Sequence, residues 1–153
     1  MLYTIKNCRF GRGVFATKYI SKGETILNIT GPMITQKQVD QRSDKEAANA
    51  LQIDDDLYID FQEPGVLVNH SCNPNTGITK DQFLIAIKDI SPEEEMTWDY
   101  STSVDGGWTM PCACEEKNCR KIVKDFTLLP KKIQQKYLEE KIVLSYIIKK
   151  LSQ

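Results

Sequence analysis

The sequence predicts a mainly β domain with short helices. Its β-prone runs are short and are separated by glycines and polar turns, and they do not alternate with long helical segments. Apolar residues make up 41% of the 153 residues, enough for one soluble domain. The longest unbroken apolar run, Phe83–Ile87, is far below the roughly 20 residues of a membrane span, so we expect no membrane association. Met1–Lys6 lacks the basic start and apolar core of a secretory signal, which predicts an intracellular protein.

The individual elements can be predicted in order along the chain. Predicted strands lie at residues 8–17, 24–29, 51–53, 57–59, 83–87 and 95–100. Gly23 marks the turn between the first two. The strand at 83–87 is apolar throughout, which predicts burial on both faces. Capping-box spacing at Thr35 and Gln38 predicts a polar helix that continues to about Ala50.

A C-terminal helix is predicted from about Lys131 to Leu151, because Pro130 suits a helix start and apolar residues follow near helical spacing. Residues 131–153 hold 6 Lys and 2 Glu, a net charge of +4. Residues 1–130 hold 14 Lys or Arg and 19 Asp or Glu, a net charge of −5. The helix either packs on the domain or forms a self-association surface, giving a monomer or a homodimer. The acidic body disfavours nucleic-acid binding; it is either an ordinary solvated surface or attractive to a basic partner.

Five cysteines are present, an odd number that argues against a disulfide framework in an intracellular protein. Cys112, Cys114 and Cys119 lie within eight residues and read as thiolate metal ligands. Three thiolates leave a tetrahedral zinc one ligand short, which makes Cys72 the candidate fourth. The neighbouring basic residues at 120–121 favour the thiolate forms. The fifth cysteine, Cys8, is expected to be a small buried apolar residue.

The densest functional pattern surrounds His70, the only histidine in the chain. A hydrolytic pair with Cys72 is disfavoured, because residues two apart on one extended segment have little freedom to form a nucleophile–base hydrogen bond. A dinucleotide loop at residues 11–13 is also disfavoured, since the third glycine and a following helix pattern are missing.

Four motifs in order resemble those of SET-domain protein-lysine methyltransferases, and together they span residues 10–120. They are the glycine motif FGRGVFAT at 10–17, the central motif VNHSCNPN at 68–75, the catalytic motif EEMTWDY at 94–100 and the post-SET motif CACEEKNCR at 112–120. The resemblance implies a SET-type pseudoknotted β fold with a post-SET zinc tail and a C-terminal helix. The implied boundaries are residues 1–105 for the SET domain, 106–124 for the zinc segment and 125–153 for the helical extension.

The resemblance also implies a site for S-adenosylmethionine (SAM). The residues implied to bind it are Gly11, Arg12, Gly13, Asn69, His70 and Tyr100. The imidazole of His70 is expected to be a hydrogen-bonded structural group rather than a general base. By the same resemblance zinc is structural and is held by Cys72, Cys112, Cys114 and Cys119.

Tyr100 and Trp98 are the residues implied in catalysis. The Tyr100 phenol can orient an incoming lysine amine, and its alternative role is that of a buried aromatic. Trp98 stands where relatives carry Phe or Tyr; its indole either contacts a methylated ammonium by cation–π attraction or narrows the channel by its bulk. Many relatives also have a channel tyrosine before the central motif, whereas residues 49–54 contain none and Tyr58 lies nearby.

The sequence thus predicts SAM-dependent methyl transfer to the ε-amine of a lysine in a protein substrate such as a histone or another basic protein. The alternative is a catalytically weak SET-like module that binds a basic peptide, which the missing channel tyrosine favours. A purely structural zinc domain would leave the motif around His70 unexplained. The expected location is intracellular, in the cytoplasm or the nucleus.

Overall fold

The computed structural model describes residues 1–153 and confirms a mainly β architecture with short helices. The strands are β1 (Tyr3–Cys8), β2 (Gly11–Ala16), β3 (Thr25–Asn28), β4 (Met33–Ile34), β5 (Ala50–Asp54), β6 (Leu57–Asp60), β7 (Asn69–His70), β8 (Thr76–Ile78), β9 (Phe83–Ala86), β10 (Glu95–Trp98), β11 (Met110–Pro111) and β12 (Ile122–Val123). The α helices are α1 (Gln36–Asp40), α2 (Asp44–Ala47), α3 (Lys131–Glu139) and α4 (Ser145–Leu151). Short 3₁₀ helices lie at Gly65–Leu67, Tyr100–Ser103 and Phe126–Leu128. None of the helices has the length and apolar character needed to cross a membrane.

The strands form four small sheets, in the orders β1-β2-β10-β7, β3-β9-β8, β4-β6-β5 and β11-β12. All pairs are antiparallel except β7 with β10, where Asn69 is opposite Thr97 and His70 is opposite Trp98. This parallel pair lays the central motif directly beside the catalytic motif. Two segments separated by some 25 residues of intervening chain therefore meet at one place, where the site is built.

The main core contains 24 buried apolar residues drawn from the sheets and from the C-terminal segment. Ile142 packs so closely on β8 that a Cβ at Gly77 would lie 2.5 Å from its side chain. Contacts nearer than 3.0 Å essentially never occur for a real Cβ. Glycine at position 77 is therefore required by the packing of the C-terminal segment against the sheet.

The single helix predicted over residues 35–50 is wrong. Thr35 does cap a helix as predicted, but that helix ends at Asp40. A second capping box, formed by Ser43 and Glu46, then starts the separate helix α2. Ala50 already belongs to β5. The Ser43 hydroxyl accepts a hydrogen bond from the Glu46 amide, which begins a new helix instead of continuing the old one.

The prediction of one continuous C-terminal helix is also wrong, because α3 and α4 are separated by residues 140–144. Lys141 has a left-handed φ of 60°, which ends α3, and the apolar residues 142–144 that follow are buried in the core. Tyr137 on α3 and Tyr146 on α4 are both buried. The two helices thus pack on the domain's own body, while the homodimer stays a prediction.

The strands also differ from the sequence interpretation: the short strands β4, β7, β8, β11 and β12 have no counterpart among the predicted strands. The strand predicted at 83–87 is β9, but it is not buried on both faces: Phe83 is 40% exposed, whereas Leu84 is fully buried. Phe83 and Ile85 lie on the partly exposed face of its three-stranded sheet, whereas Leu84 and Ala86 lie on the face that carries the core contacts. The N-terminal strand β1 was not predicted; it pairs antiparallel with β2 along its whole length.

Candidate active site and metal centre

Two cavities meet at Tyr100. The larger has a volume of about 550 Å³, and the smaller about 200 Å³. The walls of the larger include Tyr58, Phe61, Trp98, Trp108, Tyr146 and Lys150. The walls of the smaller include Phe10, Asn69, His70 and residues 112–114 of the cysteine tail. Tyr100 and Met110 line both, so these two side chains form the boundary between the cavities.

The carbonyl oxygen of Val68 organises this boundary. It accepts one hydrogen bond from the Tyr100 hydroxyl at 3.1 Å and another from Trp98 Nε1 at 3.1 Å. The two aromatic rings lie 4.7 Å apart between centroids. Trp98 is buried and lines the larger cavity, so the two residues implied in catalysis lie side by side with Trp98 on the larger-cavity side.

The Tyr100 hydroxyl is a hydrogen-bond donor rather than a base. Burial raises its pKa well above the ordinary tyrosine value, and the nearby Glu95 carboxylate adds to the rise. The phenol is therefore neutral throughout the physiological range. A neutral hydroxyl can donate one hydrogen bond and accept others, which suits the orientation of an amine.

Asn69 ties three strands together at the edge of the smaller cavity. Its Nδ2 donates to the carbonyl oxygen of Arg12 at 3.1 Å and to Glu95 Oε1 at 3.0 Å. These bonds use both amide protons and leave Oδ1 able to accept a hydrogen bond from a ligand. A Cβ at Gly13 would lie 2.7 Å from Glu95 Oε1 and 3.2 Å from Asn69 Nδ2. Glycine at position 13 therefore permits this close approach of the strands.

Residues 11–13 of the glycine motif do not line the smaller cavity. Gly11 has a φ of +102° in the turn between β1 and β2, a conformation that favours glycine. The Arg12 side chain turns outward and forms a two-pronged ion pair with Glu63. Phe10, which the sequence reasoning did not select, lines the cavity instead. Cofactor contact by residues 11–13 stays a prediction, whereas Asn69, His70 and Tyr100 are brought together at the cavity.

His70 is held as a neutral structural side chain. Its Nδ1 accepts a hydrogen bond from the Tyr100 amide at 3.1 Å. The proton consequently resides on Nε2, which lies 3.5 Å from Cys72 Sγ. Burial lowers the pKa of His70 to about 4, so the ring stays uncharged at neutral pH. This geometry supports the structural interpretation of the imidazole and fixes the backbone of Tyr100.

Four cysteines converge into one cluster. The Sγ atoms of Cys72, Cys112, Cys114 and Cys119 all lie within 4.8 Å of one another, and none forms a disulfide. Cys112 Sγ lies 3.8 Å from that of Cys72 and 3.7 Å from that of Cys119. A regular tetrahedron with zinc–sulfur bonds of about 2.3 Å has edges of about 3.8 Å. The donor set and its spacing therefore fit zinc, in agreement with the predicted ligands.

Backbone amides donate hydrogen bonds to two of the four sulfurs, whereas burial raises the pKa of Cys72 and Cys112. The amide of Arg120 donates to Cys72 Sγ at 3.4 Å, and that of Lys121 donates to Cys119 Sγ at 3.4 Å. It is these backbone donors that contact the sulfurs directly. The Lys121 amide lowers the pKa of Cys119 to about 7. Cys8 lies outside the cluster and is half-buried beside the Asn69 amide.

Sequence reasoning missed Asp99, the buried carboxylate next to Tyr100. Asp99 is 1% exposed, and its Oδ1 accepts hydrogen bonds from Arg120 Nη2 at 2.7 Å and from the Ser101 amide at 3.0 Å. Its Oδ2 accepts from the Tyr137 hydroxyl at 2.9 Å. These partners come from the cysteine tail, the adjacent turn and α3. No local pattern could have indicated the two contacts that are distant in sequence.

A tyrosine does reach the larger cavity from the neighbouring hairpin. Tyr58 on β6 is paired with Gln52 on β5, and both side chains line that cavity. The Tyr58 hydroxyl donates to the side chain of Gln36 at the start of α1. The strand before the central motif thus supplies an aromatic hydroxyl that residues 49–54 lack.

A SET domain profile matches residues 11–101. The chain is 33% identical over 129 residues to histone-lysine N-methyltransferase ash1 of Drosophila melanogaster, a match that covers 74% of this chain and 6% of that protein. It is 31% identical over 126 residues to histone-lysine N-methyltransferase trithorax of Drosophila virilis, covering 72% of this chain and 3% of that protein. The chain thus spans a small fraction of the length of these relatives.

Among solved structures, the fold is similar to the methyltransferase domain of human histone-lysine N-methyltransferase SETMAR. The TM-score is 0.65 at 22% sequence identity, and the match covers 80% of this chain and 58% of that chain. The likeness confirms the predicted fold. With the profile covering more than half of its residues, the chain belongs to the SET-domain lysine methyltransferase family.

Proposed function

We propose that the protein is a SAM-dependent lysine N-methyltransferase acting on a protein substrate. The observation that carries the proposal is the pair of cavities that share Tyr100 as a boundary. Methyl transfer requires the amine and the methyl donor to approach one another in line from opposite sides. An enzyme that binds the amine and the methyl donor in separate cavities, which meet at one aromatic hydroxyl, holds the two reactants in this arrangement. The reaction is then favoured by proximity and orientation.

The smaller cavity is assigned to SAM, which supplies a methyl group on a sulfonium sulfur. Asn69 Oδ1 is placed to accept a hydrogen bond, since its amide protons are used within the protein. Phe10 offers an aromatic face, and the cysteine tail at residues 112–114 closes the opposite side. The tail therefore excludes water from one side of the bound cofactor.

The larger cavity is assigned to the substrate lysine. Its walls are mainly apolar and include Trp98, Phe61 and Val68. An apolar surrounding lowers the pKa of a lysine amine from its reference value of about 10.4, which favours the neutral nucleophile. The Tyr100 hydroxyl orients that amine, and the protein needs no strong base of its own.

Zinc is proposed as a structural ion held by the four cysteines. Such a site closes all four positions of the metal with protein ligands, so the ion organises the chain and does not contact substrate. Because Cys72 follows the central motif and the other ligands lie in the tail, the ion would fasten the tail over the smaller cavity. A reduced four-thiolate site also agrees with the predicted intracellular location.

A basic protein such as a histone is the proposed substrate class. The body of the protein, residues 1–130, carries a net charge of −5, which attracts a lysine-rich segment. The relatives trithorax and ash1 are histone-lysine N-methyltransferases. The alternative of a binding module without catalysis depended on the missing channel tyrosine, and Tyr58 at the larger cavity weakens that argument.

Intact-mass spectrometry tests the proposal. Purified protein is incubated with SAM and either core histones or a non-histone lysine-rich protein, and each substrate is examined for added methyl groups. Transfer is expected with the wild type, and Tyr19→Phe serves as the control because Tyr19 is exposed and lines neither cavity. A wild type that binds SAM but methylates none of these proteins would contradict the proposal and support the binding module.

A further inference from the structure

The buried contacts around Asp99 form a link between α3, the cysteine tail and Tyr100. We propose that Tyr137 and Arg120 are positioning residues that hold the Asp99 carboxylate and, through it, fix the orientation of Tyr100. Neither side chain lines either cavity, so both act through Asp99. The inference rests on the proposed function only in so far as Tyr100 takes part in methyl transfer.

The first step of the argument is the local turn. Asp99 is the N-cap of the 3₁₀ helix that begins at Tyr100, and its side chain accepts a hydrogen bond from the Ser101 amide. That bond sets the direction in which the chain leaves β10. The Tyr100 amide is bonded on the other side to His70. The backbone of Tyr100 is therefore held at its own amide and by the cap that surrounds it.

The second step is that Asp99 cannot hold this position alone. Its side chain is fully buried, and an unpaired buried carboxylate is strongly unfavourable. His70 Nδ1 is 3.7 Å away but accepts the Tyr100 amide, so it brings no positive charge. Arg120, at 2.7 Å, is the compensating cation. It also reaches Ser101 Oγ at 3.3 Å, so the guanidinium contacts the same turn twice.

The third step concerns the origin of the two partners. Arg120 directly follows the metal-ligand candidate Cys119, so its guanidinium reaches Asp99 only when the tail is folded over the domain. Tyr137 lies on α3, beyond the residues matched by the SET profile, and is 2% exposed. Burial keeps its hydroxyl protonated and thus a donor to Asp99 Oδ2. The cysteine tail and α3 therefore both contact the carboxylate of Asp99, the residue directly before Tyr100.

Tyr137→Phe is the main test, because it keeps the buried ring and removes only the hydrogen bond to Asp99. Gln134→Met is the matched control on the same helix. Gln134 is also buried, and it donates to the carbonyl oxygens of Thr127 and Leu129 without contacting Asp99. If Tyr137→Phe acted only by loosening α3, it should therefore have the same effects as Gln134→Met.

Two readouts are measured on the folded, full-length protein. Amide hydrogen exchange at Ser101 and Thr102 is expected to rise several-fold in Tyr137→Phe and to stay near the wild-type value in Gln134→Met. With an active wild type, kcat of Tyr137→Phe is expected to fall about tenfold, while KM and the affinity for SAM change less than about twofold. Arg120→Gln is expected to lower kcat in the same way, with partial recovery in Arg120→Lys.

The outcomes separate this inference from the proposed function. Equal hydrogen exchange in Tyr137→Phe and Gln134→Met would overturn it, as would an unchanged kcat in Tyr137→Phe. If the wild type transfers no methyl group, the proposed function fails, and hydrogen exchange at Ser101 still decides whether Tyr137 holds the turn. If Arg120→Gln does not fold, the Tyr137 comparison decides alone.

Discussion

Replacing Tyr100 by phenylalanine removes a single hydroxyl from the boundary between the two cavities. The ring, its contact with Trp98 and the backbone hydrogen bond to His70 all remain. The lost interaction within the protein is the 3.1 Å hydrogen bond to the carbonyl oxygen of Val68. This makes Tyr100→Phe a narrow perturbation of the candidate chemistry.

The expected effects on stability and on rate differ in size. The Val68 oxygen keeps its bond from Trp98 Nε1, so no buried acceptor is left without a partner. The free energy of unfolding should therefore fall by no more than about 1 kcal/mol, the net value of one neutral hydrogen bond. If the hydroxyl orients the amine in the transition state, kcat should fall about 100-fold, which corresponds to about 2.7 kcal/mol.

The assay compares wild type, Tyr100→Phe and the exposed control Tyr19→Phe. Methyl transfer to a lysine-rich protein gives kcat and KM, calorimetry gives the affinity for SAM, and thermal unfolding gives stability. We expect kcat alone to change substantially in Tyr100→Phe. Because the phenol is neutral well beyond physiological pH, the loss should be similar across the neutral range.

Two results would refute the reasoning. An active wild type with an unimpaired Tyr100→Phe would show that the hydroxyl does not act in the transition state. A large parallel loss of SAM affinity would show that the residue binds the cofactor and that its effect on rate is indirect.

Three further outcomes are expected. Metal analysis should find about one zinc per chain. The Cys119→Ser variant should lose this zinc, whereas Cys8→Ser should retain it because Cys8 lies outside the cluster. Full metal content in Cys119→Ser would contradict the ligand set. Asn69→Ala should weaken SAM binding. It should also lower the free energy of unfolding by about 1–3 kcal/mol, because it removes the hydrogen bonds to Arg12 and Glu95. Calorimetry that shows an unchanged affinity for SAM would exclude a role of Asn69 at the cofactor. Gly77→Ala should destabilise by about 1–3 kcal/mol in denaturant unfolding, since its Cβ would lie 2.5 Å from Ile142; an unchanged midpoint would contradict the tight packing.

The cysteine cluster was predictable because metal ligands follow local spacing rules. Three of the four lie within eight residues, and the preferred coordination number pointed to Cys72. The break at Ser43 was also readable, since Ser43 and Glu46 repeat the capping pattern already recognised at Thr35. The sequence interpretation instead extended one polar helix from Thr35 to about Ala50 and left that second capping pattern unused.

The structure around Asp99 was not predictable in the same way. Its partners Arg120 and Tyr137 stand 21 and 38 positions later in the chain, and neither forms a recognisable motif with it. The break between α3 and α4 likewise depends on tertiary packing: residues 142–144 are drawn into the core, which overrides their helical spacing. Local patterns therefore located the site, whereas distant contacts determine how it is held.

The carbonyl oxygen of Val68 accepts hydrogen bonds from both Trp98 and Tyr100. A smaller residue at position 98 would widen the passage beside Tyr100. It would also leave the Tyr100 hydroxyl as the only side chain that donates a hydrogen bond to the Val68 oxygen. If the Tyr100 hydroxyl orients the amine as proposed, a substitution at position 98 that makes room for a further methyl group would also change the hydrogen bonding of that hydroxyl. Such a substitution is then expected to alter turnover together with the number of methyl groups added.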